Sequence, residues 1–326
     1  MGLASALLVV VALAGCVPGD LMRQWLVSQP GVRSAEIQRD DYSSDTRVLR
    51  AELDPAATDH TIVALIRDAV DFAESRPRDA LPLVLGIGQV DFEVTTVTES
   101  AKSLEWWRSL LEIDNLIDGM VTPDGVTVSA PRPAMLDTLG ALPSGTRREV
   151  RSSGESDWDF VVAADPGCVP AAEPLAFAGH LLSMEKVEAA DLDLCAGFQL
   201  TYSADSLATR AIELRDELES RGLGDFPVQM RAWRSIEDTG LYSIWVTPGE
   251  RSWVELAGEI ERSRPDFRFA LGKDGLLEVS SNKSTALEVL NDLLAARGAE
   301  SFDRFSVRGT DTGVTGTLEY IQALLG

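Results

Sequence analysis

The chain predicts an α+β fold in two duplicated halves, and three observations carry that expectation. Segments of helical period alternate with short β-patterned runs, and a helix followed by two strands is the recurrent phrase. Pro123-Asp124-Gly125 and Lys273-Asp274-Gly275 lie 150 residues apart, each between two such runs, and Asp-Gly supplies the positive φ values of a tight hairpin turn. Other marks recur at nearly the same spacing. Trp106 and Trp253 are 147 apart, Ile66-Arg67-Asp68 matches Leu214-Arg215-Asp216, and Leu81-Pro82 matches Phe226-Pro227, which reads as a tandem duplication.

Taken in order, the periodicity predicts helices over 20–28, 59–74, 101–113, 133–141, 172–187, 205–221, 252–263, 283–297 and 317–325. Strands are expected between them, for example over 48–53, 83–88, 90–97, 126–129, 159–163, 198–202, 228–233, 242–246, 267–271, 276–279 and 302–307. Asp59, Ser100, Asp205 and Ser252 suit helix N-caps because their side-chain oxygens accept from free N–H groups of the first turn. Gly222 and Gly298 suit helix stops.

With each Asp-Gly hairpin at the centre of a unit, the elements around it run strand, helix, strand, strand, helix, strand. That is the ferredoxin-like (βαββαβ) order. Applied throughout, it gives tandem units near 20–89, 90–151, 157–234 and 241–309, two in each half. The halves are then 16–151 and 157–326, with Ser152-Ser153-Gly154-Glu155-Ser156 as the linker. The first unit lacks an opening strand on this division, while 311–326 offers a further strand and helix.

Residues 1–15 are apolar and carry no charge. A membrane-spanning helix needs about 20 apolar residues, so the run fits a signal segment better than a span. No Lys or Arg precedes it, a departure from the usual positive opening. Its end, Leu13-Ala14-Gly15-Cys16, resembles the lipobox of bacterial lipoproteins. The resemblance implies that 1–15 is a removed signal peptide and that the Cys16 sulfur carries a diacylglycerol. It further implies attachment to the membrane outside the cytoplasm. A second run, Trp25-Leu26-Val27-Ser28-Gln29-Pro30-Gly31-Val32-Arg33-Ser34-Ala35-Glu36-Ile37, resembles the helix-Gly-Val-strand phrase of BON domains. Those are small α+β modules of envelope proteins, so this resemblance implies envelope or lipid association.

A formal net charge of −23, from 52 acidic against 29 basic residues, argues against nucleic acid, whose phosphates need Lys and Arg. Anionic head groups would repel the body too, leaving the lipid on Cys16 as its contact with the membrane. Cys168 and Cys195 form an even pair in a chain that its signal would send to an oxidising compartment, so one disulfide is expected, with two separate thiols as the alternative.

Two histidines bound any histidine chemistry. His60 reads as a solvated residue of a first helical turn and His180 as a packed helical histidine. There is no His-Glu-x-x-His motif, no Gly-x-Ser-x-Gly elbow and no phosphate-binding loop. Gly86-Ile87-Gly88 lacks the third glycine and the following helix of a dinucleotide fingerprint. Asp157-Trp158-Asp159 and Asp191-Leu192-Asp193 each put two carboxylates on one strand face, more simply solvated than a cation or sugar site. The seven tryptophans are expected in packing, with ligand platforms as the lesser alternative.

No catalytic, cofactor or metal residue is assigned on these grounds. The expectation is a lipid-anchored extracytoplasmic envelope protein acting as a non-catalytic binding or scaffold module for an unnamed envelope partner. A carboxylate-dependent extracytoplasmic hydrolase and a BON-like module binding lipid or cell wall are the alternatives.

Overall fold

The computed structural model describes residues 19–40, 43–113, 116–153, 160–184, 187–202, 207–232, 240–249, 251–264, 267–272, 274–295, 302 and 304–325. The chain divides into two compact units between Val128 and Ser129. The first unit opens with α1 (Asp20–Val27), β1 (Val32–Asp40), β2 (Ser43–Leu53), α2 (Asp59–Ser75), β3 (Leu83–Ile87) and β4 (Val90–Val94). It continues through α3 (Val97–Leu111), β5 (Asp118–Val121) and most of β6 (Gly125–Ala130).

The second unit holds a 3-10 turn at 132–134, α4 (Met135–Ala141), β7 (Arg147–Ser152), β8 (Phe160–Ala164), α5 (Ala172–Ser183), β9 (Ala189–Asp193), β10 (Gly197–Tyr202) and α6 (Leu207–Ser220). It ends in β11 (Val228–Ala232), β12 (Gly240–Thr247), α7 (Arg251–Ser263), β13 (Arg268–Leu271), β14 (Leu276–Ser280), α8 (Ala286–Ala295), β15 (Arg304–Arg308), β16 (Gly313–Gly316) and α9 (Leu318–Leu325). Among the described residues the phrase helix, strand, strand therefore occurs eight times, and a ninth helix follows.

Pairing is serial. In the first unit β1–β2 and β3–β4 are antiparallel hairpins, while β2–β3 and β4–β5, each joined through a helix, are parallel. The second unit alternates in the same way, from the antiparallel pair β7–β8 and the parallel pair β8–β9 through to the antiparallel pair β15–β16. A ferredoxin-like unit is a split βαβ, with another strand between the two that flank a helix. Here those two strands are neighbours, so the pairings confirm α+β architecture but not tandem ferredoxin-like units.

A strand follows α1, since β1 pairs with β2 from Val32↔Leu53 to Asp40↔Ser43, while the place of the missing opening strand, ahead of α1, lies outside the described residues. The Ser-rich stretch begins inside β7, where Ser152 is buried and its hydroxyl accepts from the Phe160 N–H at 3.3 Å, and β7 pairs with β8. Serine thus satisfies a strand end there. Residues 154–159 lie outside the described part.

In the first unit α2 packs against α3, and in the second α6 packs against α7, so these helices share one side of their sheet. Alternate strand residues accordingly bury toward the helices, as in β6, β7 and β10. Leu49, Leu85, Phe92 and Leu110 are fully buried in the first unit, and Val162, Phe177, Leu181, Leu192 and Leu200 in the second. Local chemistry fixes the ends of the elements. Thr58 caps α2 by accepting from Thr61 N–H, and Thr96 caps α3 by accepting from Glu99 N–H while its hydroxyl donates to the Glu99 carboxylate. Those caps lie before the expected Asp59 and Ser100. Gly31 turns α1 into β1 at φ 81°, which the helix-Gly-Val-strand phrase anticipates.

Candidate functional site

Helix crossovers leave the opposite sheet face of each unit to side chains alone. In the first unit Arg50 lies across this face, its guanidinium 2.8 Å from Asp91 and 2.9 Å from Glu52. It also donates to the Gly88 carbonyl at 3.0 Å, while Gly88 N–H donates to Glu52 at 3.0 Å. Asp91, then Glu52, holds the guanidinium more firmly protonated than usual against the lowering effect of burial. A Cβ on Gly86 would collide with this Arg50–Asp91 pair, and Gly88 turns the β3–β4 hairpin at φ 63°. The two glycines thus serve an ion pair and a turn.

In the second unit the register lines up two rows on the same kind of face. Arg151, Val161, Asp191, Gln199, Gln229 and Trp245 stand side by side across β7 to β12. Thr201, Arg231, Ser243, Ala270, Glu278, Ser306 and Thr315 form the other row, from β10 to β16. Hydrogen bonds tie the rows together, Arg231 donating to Gln229 at 3.2 Å and Gln229 to Ser243 at 2.8 Å, and within the second row Thr315 donates to Ser306 at 3.0 Å. Partial burial pushes the Asp191 carboxyl above its ordinary range, and the nearby Glu149 and Asp193 carboxylates add to it, against Arg147 and Arg231.

Cys168 and Cys195 are joined as a disulfide beside this face, with Cα atoms 6.3 Å apart. It ties the loop after β8 to the β9–β10 turn. That turn is held by Asp193, whose carboxylate accepts from Cys195 N–H at 3.0 Å and Ala196 N–H at 2.8 Å. Asp193 is thus a turn residue, whereas its partner Asp191 lies in the first row of the face. Beneath the loop lies Arg148, 8 % exposed, which donates to the Cys168 carbonyl at 3.5 Å and whose Nε finds no acceptor among the described residues. Sequence reading missed Arg148. An arginine flanked by two charged neighbours in Arg147-Arg148-Glu149 looks solvated until strand alternation turns the middle one inward.

The remaining candidates take structural roles. His60 is exposed in the first turn of α2, and His180 on α5 lies 3.3 Å from Glu217 on α6. Trp107 is fully buried and donates to the Val90 carbonyl at 3.1 Å, Trp25 stacks on Phe72, and Trp253 stacks on Phe302. Trp106 lies beneath the Lys102 ammonium, 5.5 Å from it. The duplicated marks occupy equivalent places. Ile66-Arg67-Asp68 and Leu214-Arg215-Asp216 lie in α2 and α6, four phrases apart, and Trp106 and Trp253 lie in α3 and α7, also four apart. Cys16, Trp158 and Trp233, with Asp157 and Asp159, lie outside the described residues.

No known family, curated protein or solved structure matches the chain. Function is therefore argued from its own residues. Among the described residues no helix is long and apolar enough to cross a membrane, and no group of three His, Cys, Asp or Glu side chains is placed to hold a metal ion.

Proposed function

We propose that this chain is a lipid-anchored protein of the cell envelope that acts as a non-catalytic binding or scaffold module, presenting the helix-free face of its sheet. The observation that carries the binding part is the serial helix-strand-strand array. In the second unit the register sets polar side chains in rows along the sheet face opposite the helices. Ion pairs and side-chain hydrogen bonds hold that surface in fixed rotamers, which lowers the cost of ordering it on binding. Support for the anchor is Leu13-Ala14-Gly15-Cys16, and the Gly31-Val32 phrase adds the BON-like envelope association.

Cys16→Ser is expected to leave the circular dichroism of the folded body unchanged and to move the protein from the membrane to the soluble fraction. Retention in membranes would contradict the anchor. For the binding face, crosslinking in intact cells should yield an adduct that the charge reversals Asp191→Arg and Glu278→Arg abolish. An adduct unchanged by both places the contact elsewhere. A second reading, a carboxylate-dependent hydrolase, draws on the raised Asp191 beside Glu149. Hydrolysis of an envelope glycan that is lost in Asp191→Asn would replace the first reading with this one.

A further inference from the structure

We infer that the α9–β16 end of the second unit is a homodimer interface, at which β16 pairs antiparallel with β16 of a second copy and the two α9 helices meet across a two-fold axis. Among the described residues β1 and β16 each pair with one strand, and they differ in how they guard the other edge. β1 sets exposed Arg33, Glu36 and Arg39 along its length, and such charges discourage another strand from adding to an edge. β16, Gly-Val-Thr-Gly, carries no charge, and its one described partner is β15. Residues 313–325 hold a single charged side chain, Glu319, where the overall 25 % would place about three.

The helix beside that edge is apolar on its outer flank. Tyr320 is 54 % and Leu324 55 % exposed, and their i, i+4 spacing sets them next to each other. The Tyr320 ring lies against Gly316, where a Cβ would displace it, so an aromatic surface is laid along the end of the edge strand. The flank of α9 beside β16 is thus apolar, continuous with the packing that joins α8 to β15 and α9 to β16.

A second copy fits this end better than a head-to-tail neighbour. One helix precedes each odd-numbered strand in the phrase, so joining β16 of one copy to β1 of the next would bring α9 and α1 to the same position. It would also set charged β1 against an uncharged edge. A two-fold pairing of β16 with itself has neither fault and closes. It also suits the net charge of −23, because two strongly acidic bodies can meet only through a patch that is locally almost neutral. Four strand residues and two helical turns from each copy make an interface near the small end of the specific range, about 1,000 Å² in total, with dissociation expected in the micromolar range.

The test is sedimentation velocity of the full chain in mild detergent from about 1 to 100 µM. The mass is expected to double across the range, and the amides of 313–316 should exchange more slowly at the high concentration. Tyr320→Glu and Leu324→Glu change exposed side chains and should each hold the chain monomeric with unaltered circular dichroism. Leu21→Glu, at the exposed apolar residue of α1, should leave the doubling intact. A monomer at every concentration overturns the inference, as does a dimer that persists in both α9 variants or dissociates in Leu21→Glu.

Discussion

Removing the Cys168–Cys195 bond should weaken the second unit and leave the first untouched. The bond spans 27 residues, and restoring the freedom of a loop of that length to the unfolded chain costs about 3.5 kcal/mol of stability on the loop-entropy account. Each kcal/mol moves the midpoint of a unit of this size by roughly 2–4 °C, so the Cys168→Ala/Cys195→Ala protein should unfold about 7–14 °C lower. The loss should stay near that figure because Asp193 still caps the β9–β10 turn and Arg147 still pairs with Asp165. The assay is thermal and denaturant unfolding of the full chain with and without reductant, with circular dichroism as the readout. A double-alanine protein whose second-unit transition moves by less than about 1 kcal/mol would refute the reasoning. So would peptide mapping that recovers both thiols free from non-reduced protein.

Three more expectations follow from side chains with defined neighbours. Trp107→Ala empties a fully buried site beside Phe92 and removes the indole donor to the Val90 carbonyl, so the first unit should lose about 3–5 kcal/mol in urea, and a loss under about 1 would contradict the packing. Gly309→Ala drives a methyl into the backbone of Thr285 and Ala286, where the turn after β15 meets the start of α8, and should cost roughly 2 kcal/mol. An unchanged denaturation midpoint would remove that contact from the account. Asp191 holds its proton more tightly folded than unfolded, so its ionisation takes stability away as pH rises from the ordinary aspartate value through the raised folded one. Asp191→Asn should therefore match the wild type in strongly acidic solution and exceed it at pH 7, and equal stability at both pH values would contradict the shift.

Elements were more legible in the chain than their partners. Helices expected at 59–74 and 252–263 occur at Asp59–Ser75 and Arg251–Ser263, because apolar period and nearby caps are properties of a few consecutive residues. Strand neighbours are not local. The string strand, helix, strand, strand, helix, strand describes both a ferredoxin-like unit and the serial array, and only the pairing of β2 with β3 or β4 with β5 separates them. The BON-like phrase pointed to the strand after Gly31, where charged Arg33, Glu36 and Arg39 mask the apolar alternation of an edge strand. Ser152-Ser153 has the composition of a linker, and its place at the end of a hairpin strand depends on Phe160 eight residues later. At the candidate site, Asp191 was visible as one of two strand carboxylates, whereas buried Arg148 and the Arg50–Asp91 pair across Gly86 need the fold to bring them into view.

The claim that this array is held at the membrane by Cys16 is tested most directly by mass spectrometry of the N-terminal peptide of protein extracted from cell membranes. The account predicts a peptide beginning at Cys16 with a diacylglyceryl group on its sulfur. A peptide that still contains Met1 to Gly15, or an unmodified Cys16, would contradict it.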